Sequence, residues 1–265
     1  MINMNRFFAY TLYQYKSLLQ YKFNTIMQII ASLSMVLIQY SIWIYVEKYN
    51  SENIDEIITY VLFAIILQIV LPIKITTNFV SEKILKGTII NYLNKPNRLI
   101  VITFFTTLGN FLYKLKFQVL PILVIYILLF YNLIFRTISL KRFVLFIFVY
   151  ILSYIVAFLL GYIIALLSTV FIRINGVSEL VNALLIIFGG GLLPLDLYPK
   201  LLLRISEITP FYAVMYAPIS IIVHDNDLGK VLFILGVQMF WLIILLIISK
   251  RLSQYVFNKF DIMGG

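Results

Sequence analysis

The chain has little charge, no cysteine and a single histidine among its 265 residues. Without cysteine, a Cys/His metal cage and a cysteine nucleophile are both excluded. Charged residues make up 12% of the chain and hydrophobic residues 62%, whereas soluble domains carry about 25% charged and about 45–50% apolar residues. This composition excludes disorder, a disulfide scaffold and a nucleic-acid-binding globule, and it predicts an integral membrane protein.

Groups that could carry out catalysis are also missing from the sequence. It has no Gly-rich phosphate loop ending in Gly-Lys-Ser/Thr, so the chain binds no nucleotide by that route. His224 stands beside Asp225 and Asp227, and we interpret it as a solvated loop histidine, with a cation or proton site as the alternative. We therefore expect no enzyme activity, and no metal or cofactor bound by this chain.

Long apolar stretches dominate what the sequence does contain. A helix needs about 20 mostly apolar residues to cross about 30 Å of hydrocarbon. We expect an all-α integral membrane fold with a single transmembrane domain, made of an interfacial N-terminal helix (1–25), a six-span core (26–249) and a cytoplasmic tail (250–265). The six predicted spans are Ile26–Val46, Ile57–Ile73, Phe117–Phe135, Phe143–Ile172, Leu180–Leu195 and Val231–Ile248.

Two features of these spans bear on function. Ionisable residues are nearly absent from them, which disfavours a self-powered ion or proton carrier. Four polar residues remain inside the spans, and we expect them to form hydrogen bonds between helices. They are Gln39, Gln68, Asn182 and Gln238.

The stretch Leu99–Tyr113 is apolar but short for a crossing. No turn signal separates it from the span that follows. We interpret it as the cytoplasmic or interfacial first half of a long third helix; a seventh span is the alternative.

The distribution of charge predicts the orientation of the chain. With the N-terminus inside, the inner segments hold 14 Lys/Arg and three acids, a net charge of +11, and the outer segments have a net charge of −1; together these give the +10 of the chain. Cytoplasmic loops are enriched in Lys and Arg. We expect a multi-pass protein of the cell membrane with both termini cytoplasmic, the first span as an uncleaved anchor, and anionic lipid rather than nucleic acid as the basic surface's partner. One loop departs from this pattern, because Arg136, Lys141 and Arg142 fall outside.

The segment Asn5–Lys22 is too polar to cross a membrane and is rich in aromatic residues. At helical spacing, Phe8, Leu12, Tyr15 and Leu19 share one face. This pattern predicts a helix lying in the membrane interface. A generic basic and aromatic flank of the first span is the alternative.

The longest inner loop, Asn78–Arg98, has apolar residues at roughly helical spacing, and Lys95-Pro96 ends the pattern. A short amphipathic helix with an apolar side for a cytoplasmic groove would have this sequence. A loop lying against lipid would fit equally well. The residues of the pattern are Ile84, Leu85, Ile89, Ile90 and Leu93, with Gly87 among them.

The segment Gly189–Ala217 combines glycines and prolines with an apolar run. Non-helical backbone at membrane depth persists only where protein or a water-filled cavity satisfies it. We interpret this segment as a fifth helix that breaks, re-enters the outer leaflet and returns. The alternative is a short fifth helix followed by an apolar outer loop on the surface.

These segments carry two loose motifs. The inner loop contains Glu82, Gly87 and Ile89 in the pattern Glu-x-x-x-x-Gly-x-Ile, followed by Leu93-x-Lys95-Pro96. The outer segment contains Gly190-x-x-x-Pro194-Leu195-x-x-x-Pro199, followed by Pro210-Phe211. Together with the six spans, they make the chain resemble the ABC-2 type permease subunits of bacterial ABC exporters over essentially its whole length.

The resemblance implies roles for both segments. The inner helix would be the coupling helix that docks on a separate ABC ATPase subunit, and the outer segment a re-entrant gate over the pathway. The implied coupling residues are Glu82, Lys83, Lys86, Gly87, Leu93, Lys95 and Pro96. The implied gate residues are Gly189, Gly190, Gly191, Pro194, Pro199, Pro210 and Phe211.

The resemblance also implies partners and an activity. A second permease copy or a close paralogue would complete the exporter, as a homodimer in the first case, and ATP and Mg would bind in the partner ATPase. The aromatic, weakly charged spans favour an amphiphilic, lipid-like, peptide or drug-like substrate, as in multidrug or peptide efflux. A six-span channel or toxin-immunity protein that acts without an ATPase is the alternative, and a membrane enzyme is the weakest candidate because no acid/base cluster is present.

Overall fold

The computed structural model describes residues 4–47, 54–92, 96–137, 139–169 and 174–263. All regular elements within these ranges are helical. Short 3₁₀ turns occur at Thr88–Tyr92, Leu167–Thr169 and Leu195–Leu197, and π-helical turns at Leu115–Val119 and Tyr212–Tyr216. The α-helices are α1 (Met4–Leu18), α2 (Lys22–Glu47), α3 (Ile54–Val70), α4 (Ile73–Leu85), α5 (Pro96–Lys114), α6 (Leu120–Thr137), α7 (Leu140–Leu166), α8 (Ile174–Phe188), α9 (Lys200–Ile208), α10 (Ala217–Val223) and α11 (Leu228–Met263).

Within the described ranges, five helical stretches are long and apolar enough to cross a membrane, so the chain is a multi-pass membrane protein. They are Lys22–Val46, Asp55–Leu85, Leu99–Tyr131, Leu140–Thr169 and Leu228–Lys259. The predicted fifth span, Leu180–Leu195, breaks at its glycines, as expected. Its place is taken by the shorter α8, which ends at Phe188 because three glycines follow. A bent helix pair after α8 would bring the total to six.

The predicted second span continues well beyond Ile73. The helix breaks only at Leu71 and Pro72 before α4 extends it to Leu85. Proline has no backbone N–H, so carbonyls near the end of α3 lose their helical donors. The ammonium of the half-buried Lys114 of α5 donates to the Ile69 carbonyl oxygen at 2.7 Å, a position where the helix dipole favours positive charge. The break is therefore stabilised from a neighbouring helix.

The third span is one long helix made of α5, a π-helical turn and α6. Leu99–Tyr113 is accordingly its first part, as predicted, and not a seventh crossing. Inside α6 the backbone departs from helical geometry at Phe130 (φ −126°, ψ 29°). The π-turn and this kink give the helix two irregular points along its length.

The N-terminal helix α1 packs along α5. The Thr11 hydroxyl donates to the Phe105 carbonyl at 2.9 Å, and the rings of Phe7 and Phe105 stack with centroids 5.6 Å apart. Phe8 and Leu12, from the predicted apolar face, are exposed on α1. The predicted helix is thus confirmed. Its exposed aromatic and aliphatic side chains suit the membrane interface, and its location there stays a prediction.

Helix α7 lies at the centre of the bundle, in contact with α4, α10 and α11. The fully buried Gln238 amide of α11 lies 2.9 Å from the Ser153 hydroxyl and 3.0 Å from the Ala213 carbonyl. This confirms the predicted interhelical hydrogen bonding for Gln238. Asn182, by contrast, is exposed on α8.

Helices α4 and α7 approach most closely at Gly161. A Cβ atom at this position would lie 2.6 Å from the Ile73 carbonyl oxygen and 3.0 Å from the Thr76 Cβ. The Thr77 hydroxyl donates to the Gly161 carbonyl at 3.1 Å. The small residue therefore lets two backbones meet, which is how helices associate closely in membranes.

We predict that Gly161→Ala destabilises the fold, because the added methyl group meets backbone that cannot move independently. The expected loss is about 1–3 kcal/mol in the free energy of unfolding, measured in mixed micelles. Gly236→Ala in α11 is the matched control, since no atom lies within 4 Å of its added Cβ. Equal stability of the two variants would contradict the proposed close contact.

Candidate functional site

The end of α4 presents charged side chains at the surface. Glu82 and Lys86 form an exposed ion pair at 2.5 Å, one helical turn apart. Lys83 is half-buried, with its ammonium 4.6 Å from the centre of the Phe79 ring and 5.5 Å from that of Tyr92. The aromatic contacts hold Lys83 in place, whereas Glu82 and Lys86 project into the surroundings.

Gly87 ends this helix. Its φ of +70° lies in the left-handed region that favours glycine, and its N–H donates to the Ile84 carbonyl at 3.0 Å. Of the two structures that the sequence left open for this loop, neither a continuous helix through Gly87 nor a loop describes it fully: α4 stops at Leu85, and Thr88–Tyr92 forms a 3₁₀ turn. Of the other predicted coupling residues, Leu93 and Lys95 lie outside the described residues, and Pro96 begins α5.

Beneath this surface lies a small apolar cluster that anchors the turn. Its buried members come from the α4 end, the 3₁₀ turn, α5, α7 and α11. Leu85 and Ile90 remain exposed, as do Glu82 and Lys86. The α4 end thus combines a fixed apolar base with an exposed face of mixed apolar and charged side chains. The buried cluster consists of Val80, Ile84, Ile89, Leu99, Tyr162, Ala165, Leu166, Val256 and Phe257.

The glycines after α8 are buried against α3. Gly190 adopts a φ of +71°, and its carbonyl accepts a hydrogen bond from the Tyr60 hydroxyl at 2.9 Å. The Gln68 side-chain amide donates to the Gly191 carbonyl at 3.0 Å, so Gln68 bonds to non-helical backbone after α8 and not, as predicted, to another helix. A Cβ on Gly189 would lie 3.0 Å from the Phe211 carbonyl oxygen. Two side chains of α3 therefore satisfy backbone that leaves the helical pattern.

Two prolines shape the chain after these glycines. Pro194 (φ −54°, ψ 136°) and Pro199 (φ −54°, ψ 142°) are both extended, and Pro199 immediately precedes α9. Between them, the Tyr198 hydroxyl donates to the Ile187 carbonyl at 2.9 Å. The extended stretch consequently folds back along the end of α8.

Helix α9 and the helical stretch Tyr212–Val223 meet at an angle of 85°, with Pro210 and Phe211 at the bend. The Trp241 indole N–H of α11 donates to the Ile208 carbonyl at 3.1 Å, next to the bend. All residues from Tyr212 to Val223 are buried. The seven predicted gate residues thus belong to one helix–bend–helix segment held by α3 and α11, and its re-entry into a membrane stays a prediction.

From its sequence neighbours we predicted that His224 is a solvated loop histidine. The structure contradicts this prediction. The histidine side chain is 23% exposed, with Nδ1 3.4 Å from a Glu56 carboxylate oxygen and Nε2 3.3 Å from Asp196 Oδ2. The Tyr216 hydroxyl donates to the same Asp196 oxygen at 2.6 Å. Three elements far apart in the chain therefore converge on one imidazole. No group of His, Asp and Glu side chains with metal-binding geometry occurs in the described ranges.

One of the basic residues that departed from the predicted charge pattern has an acidic neighbour. Arg142, near the start of α7, lies 3.1 Å from the Asp225 carboxylate and 3.4 Å from the Val223 carbonyl. Arg142 and Asp225 are therefore at the same end of the bundle. Attraction to the acidic 224–227 stretch accounts for a basic residue at that end.

The surroundings of Asp196 stabilise its ionised form. Partial burial opposes ionisation, but the His224 imidazole and the Tyr216 hydroxyl outweigh it and lower the pKa of the Asp196 carboxyl to about 2. The carboxylate thus accepts hydrogen bonds throughout the neutral pH range. It ties the Leu195–Leu197 turn to the π-helical turn before α10 and, through His224, to the first turn of α3.

Sequence reasoning missed most of these contact residues. Tyr60 stands in an apolar run without any neighbouring motif, and Glu56, Asp196 and Tyr216 are separated by long stretches of chain. Tyr60 alone carried a usable signal, because a hydroxyl inside an apolar span needs a partner. The other contacts depend on which helix ends meet.

Comparison with known proteins gives one match. The family model for ABC-2 family transporter proteins covers residues 48–264, which leaves α1 and α2 outside the matched region. A comparison with curated protein sequences finds no significant match.

We predict that Tyr60→Phe loosens the glycine segment, because the buried Gly190 carbonyl loses its donor. We expect the free energy of opening this segment to fall by about 1–3 kcal/mol. The measurement is faster hydrogen exchange over residues 189–199. Gly190→Ala should destabilise the segment more than Tyr60→Phe does. Its added Cβ would clash with the Tyr60 hydroxyl, and alanine is strained at the positive φ of this position. The Gly190→Ala/Tyr60→Phe double variant should recover part of that loss, and Tyr13→Phe on exposed α1 is the control. Strict additivity in the double variant would argue against this contact.

We also predict a pH dependence from Asp196. Its folded pKa lies below the value of about 3.9 in an unfolded chain, so its stabilising contribution is complete above about pH 4 and is lost as the pH falls towards 2. The hydrogen-exchange protection factors of residues 195–198, corrected for the intrinsic pH dependence of amide exchange, should therefore fall over this range in the parent protein. Asp196→Asn lacks the carboxylate, so its protection factors should not show this fall with pH. The same pH dependence of protection in both proteins would contradict a stabilising role of ionised Asp196.

Proposed function

The chain belongs to the ABC-2 transporter family, and from this premise we propose that it is the membrane-spanning permease subunit of an ATP-driven exporter. The ATPase would be a separate subunit that binds ATP and Mg. A second copy of this chain or a close paralogue would complete the transporter. The observation that carries the proposal is the family match over most of the chain, which includes both the α4 end and the glycine segment.

The α4 end is the proposed docking surface for the ATPase. Its exposed Glu82, Leu85, Lys86 and Ile90 offer charge and apolar area together, which suits a groove on a soluble partner. The cation–π contacts of Lys83 and the apolar cluster below supply a rigid base, so that force on this surface would reach α5, α7 and α11.

Helices α3 and α4 form the proposed mechanical link across the protein. The α4 end lies at one end of this pair, and Tyr60 and Gln68 on α3 hold the carbonyls of the glycine segment. Pro72 interrupts the pair and supplies a hinge. ATP binding would close the ATPase dimer and move the α4 end. The α3 helix would then shift relative to the glycine segment and open a path outward.

The glycine segment is the proposed outer gate. Gly189, Gly190, Gly191, Pro194, Pro199, Pro210 and Phe211 shape its turns and its bend. The Asp196–His224–Glu56 contacts and the Tyr60 hydrogen bond would hold the gate closed at rest. Polar contacts of this kind break and re-form at modest cost.

Amphiphilic compounds are the proposed substrates, including lipid-like, peptide and drug-like molecules. The bundle interior is aromatic and aliphatic, and fully buried side chains such as Tyr60, Tyr126, Tyr162 and Tyr216 add hydroxyl groups without charge. A small ion would find few compensating charges in such an interior.

The test is a native co-purification followed by coupling variants. Gentle extraction from the native membrane should recover an ABC ATPase with the chain, and hydrolysis by this complex should drive export of a labelled amphiphile. Recovery of the chain alone, together with function that needs no ATP, would instead support a channel or toxin-immunity protein.

Within the assembled complex, Glu82→Gln should leave ATP hydrolysis in place and reduce export, because the docking surface loses its ion pair. Gly87→Ala should have a similar effect through left-handed strain of about 1–2 kcal/mol. Glu179→Gln and Gly176→Ala are the matched controls, at an exposed α8 glutamate and an unhindered glycine. Normal export by both α4-end variants would remove this surface from the coupling role.

A further inference from the structure

A cavity of about 780 Å³ lies between α3, the α5–α6 helix and α7. This volume is within the range of about 300–1,000 Å³ that holds small-molecule ligands in proteins. The proposed coupling surface and gate do not use it. Its walls are almost entirely apolar, and residues such as Leu67, Leu108, Leu123 and Ile151 line it.

Aromatic side chains keep this cavity open. Along α7, the rings of Phe143, Phe146 and Tyr150 stack in succession, with centroids 6.3 Å and 5.9 Å apart. Phe63 of α3 and Phe111 of α5 pack against this ladder from the other walls. Rings held on several sides cannot collapse into the space as a flexible side chain would.

The opposite wall contains a helical irregularity. Leu115 and Val119, at the two ends of the π-helical turn, both line the cavity. π-Turns inside α-helices occur frequently at functional sites, because the extra residue widens the helix locally. The widened turn contributes to the space between α3 and α7.

Tyrosine hydroxyl groups of the lining residues, those of Tyr126, Tyr150 and Tyr154, have no hydrogen-bond partner among the described residues. Tyr126, with 1% of its surface exposed, and Tyr150 both contribute to the walls. A buried polar group without a partner is rare in folded proteins and calls for an explanation. These hydroxyl oxygens are covered by their neighbours, so a ligand with an accepting oxygen would supply the missing partner after a small movement of the ring.

The lining also restricts the chemistry of the ligand. An ionised group would lose its hydration without any compensating charge. Ordered water needs two to four polar partners, and the walls offer only a few hydroxyls. A long hydrocarbon with one weakly polar group fits these limits.

We propose that this cavity binds one alkyl chain of an amphiphile, with an ester or amide carbonyl accepting a hydrogen bond from Tyr126 or Tyr150. The site lies within a single copy of the chain. Binding would be a property of the permease alone and does not require the proposed export activity.

The test uses the purified full-length chain and a palmitic acid methyl ester that carries a photoreactive diazirine in mid-chain. We expect crosslinks to peptides of α6 and α7, suppressed by excess unlabelled methyl palmitate. Leu123→Trp fills the cavity and should weaken this labelling at least about tenfold. Leu128→Trp, on the exposed side of α6, is the matched control and should label like the parent protein.

The polar part of the proposal has its own test. Tyr126→Phe/Tyr150→Phe should weaken labelling by the ester about tenfold, while labelling by the hydrocarbon analogue with the same diazirine stays unchanged. This variant retains both rings, so it keeps the test decisive if Leu123→Trp fails to fold. Tyr13→Phe controls for the loss of a hydroxyl elsewhere.

Crosslinks confined to the exposed faces of α2 and α11 would overturn the proposal, as would full α6 and α7 labelling in a folded Leu123→Trp variant. Once binding is established, the source of the chain can be determined with the assembled transporter. Stimulation of ATP hydrolysis by the ester would identify the ligand as cargo, and binding without stimulation would identify it as a resident lipid; both results support the site.

Discussion

Backbone polar groups inside an apolar helix bundle must find partners within the protein, since lipid offers none. This constraint is most demanding where the chain stops being helical, after α8. There the carbonyls of Gly190 and Gly191 are satisfied by Tyr60 and Gln68 of α3. These two side chains hold the glycine segment against α3, while Trp241 of α11 contacts the bend that follows.

The same constraint explains the break in the second span. Pro72 leaves carbonyls at the end of α3 without helical donors, and Lys114 supplies a charged donor to one of them. The α3–α4 pair therefore provides hydrogen-bond donors to the glycine segment and receives one donor, Lys114, from α5. This arrangement makes α3 and α4 the natural connection between the α4 end and the opposite end of the bundle, and it is why we assign them the transmission of movement.

Much of the fold followed from local patterns. Apolar length identified the long helices, and continuity through Tyr113 identified a single third helix. Two predictions failed for tertiary or conformational reasons. A continuous amphipathic helix does not form in the inner loop, because Gly87 adopts a positive φ and ends α4. We also predicted that His224 is solvated, whereas the carboxylates of Glu56 and Asp196 lie beside it. Periodicity carries no information about a left-handed residue or about which helix ends converge.

The candidate site was predictable only in part. Gly189–Gly191, Pro194, Pro199 and Pro210 stood out as residues that interrupt helices, and the structure places them in one bent segment. Their partners on α3 could not be identified, because Tyr60 and Gln68 resemble other polar residues inside apolar spans. The cavity beside α7 was equally hidden, since its walls come from four stretches of chain whose shared surface exists only after packing.

The sequence by itself determined that this chain is a membrane protein, where its helices run and where they are interrupted, because hydropathy and backbone preferences act over neighbouring residues. Tertiary structure alone decided which side chains satisfy the interrupted backbone, which carboxylates meet the single histidine and where the helices leave a cavity. These features depend on distances between residues that are remote in the chain, and such distances are set by packing.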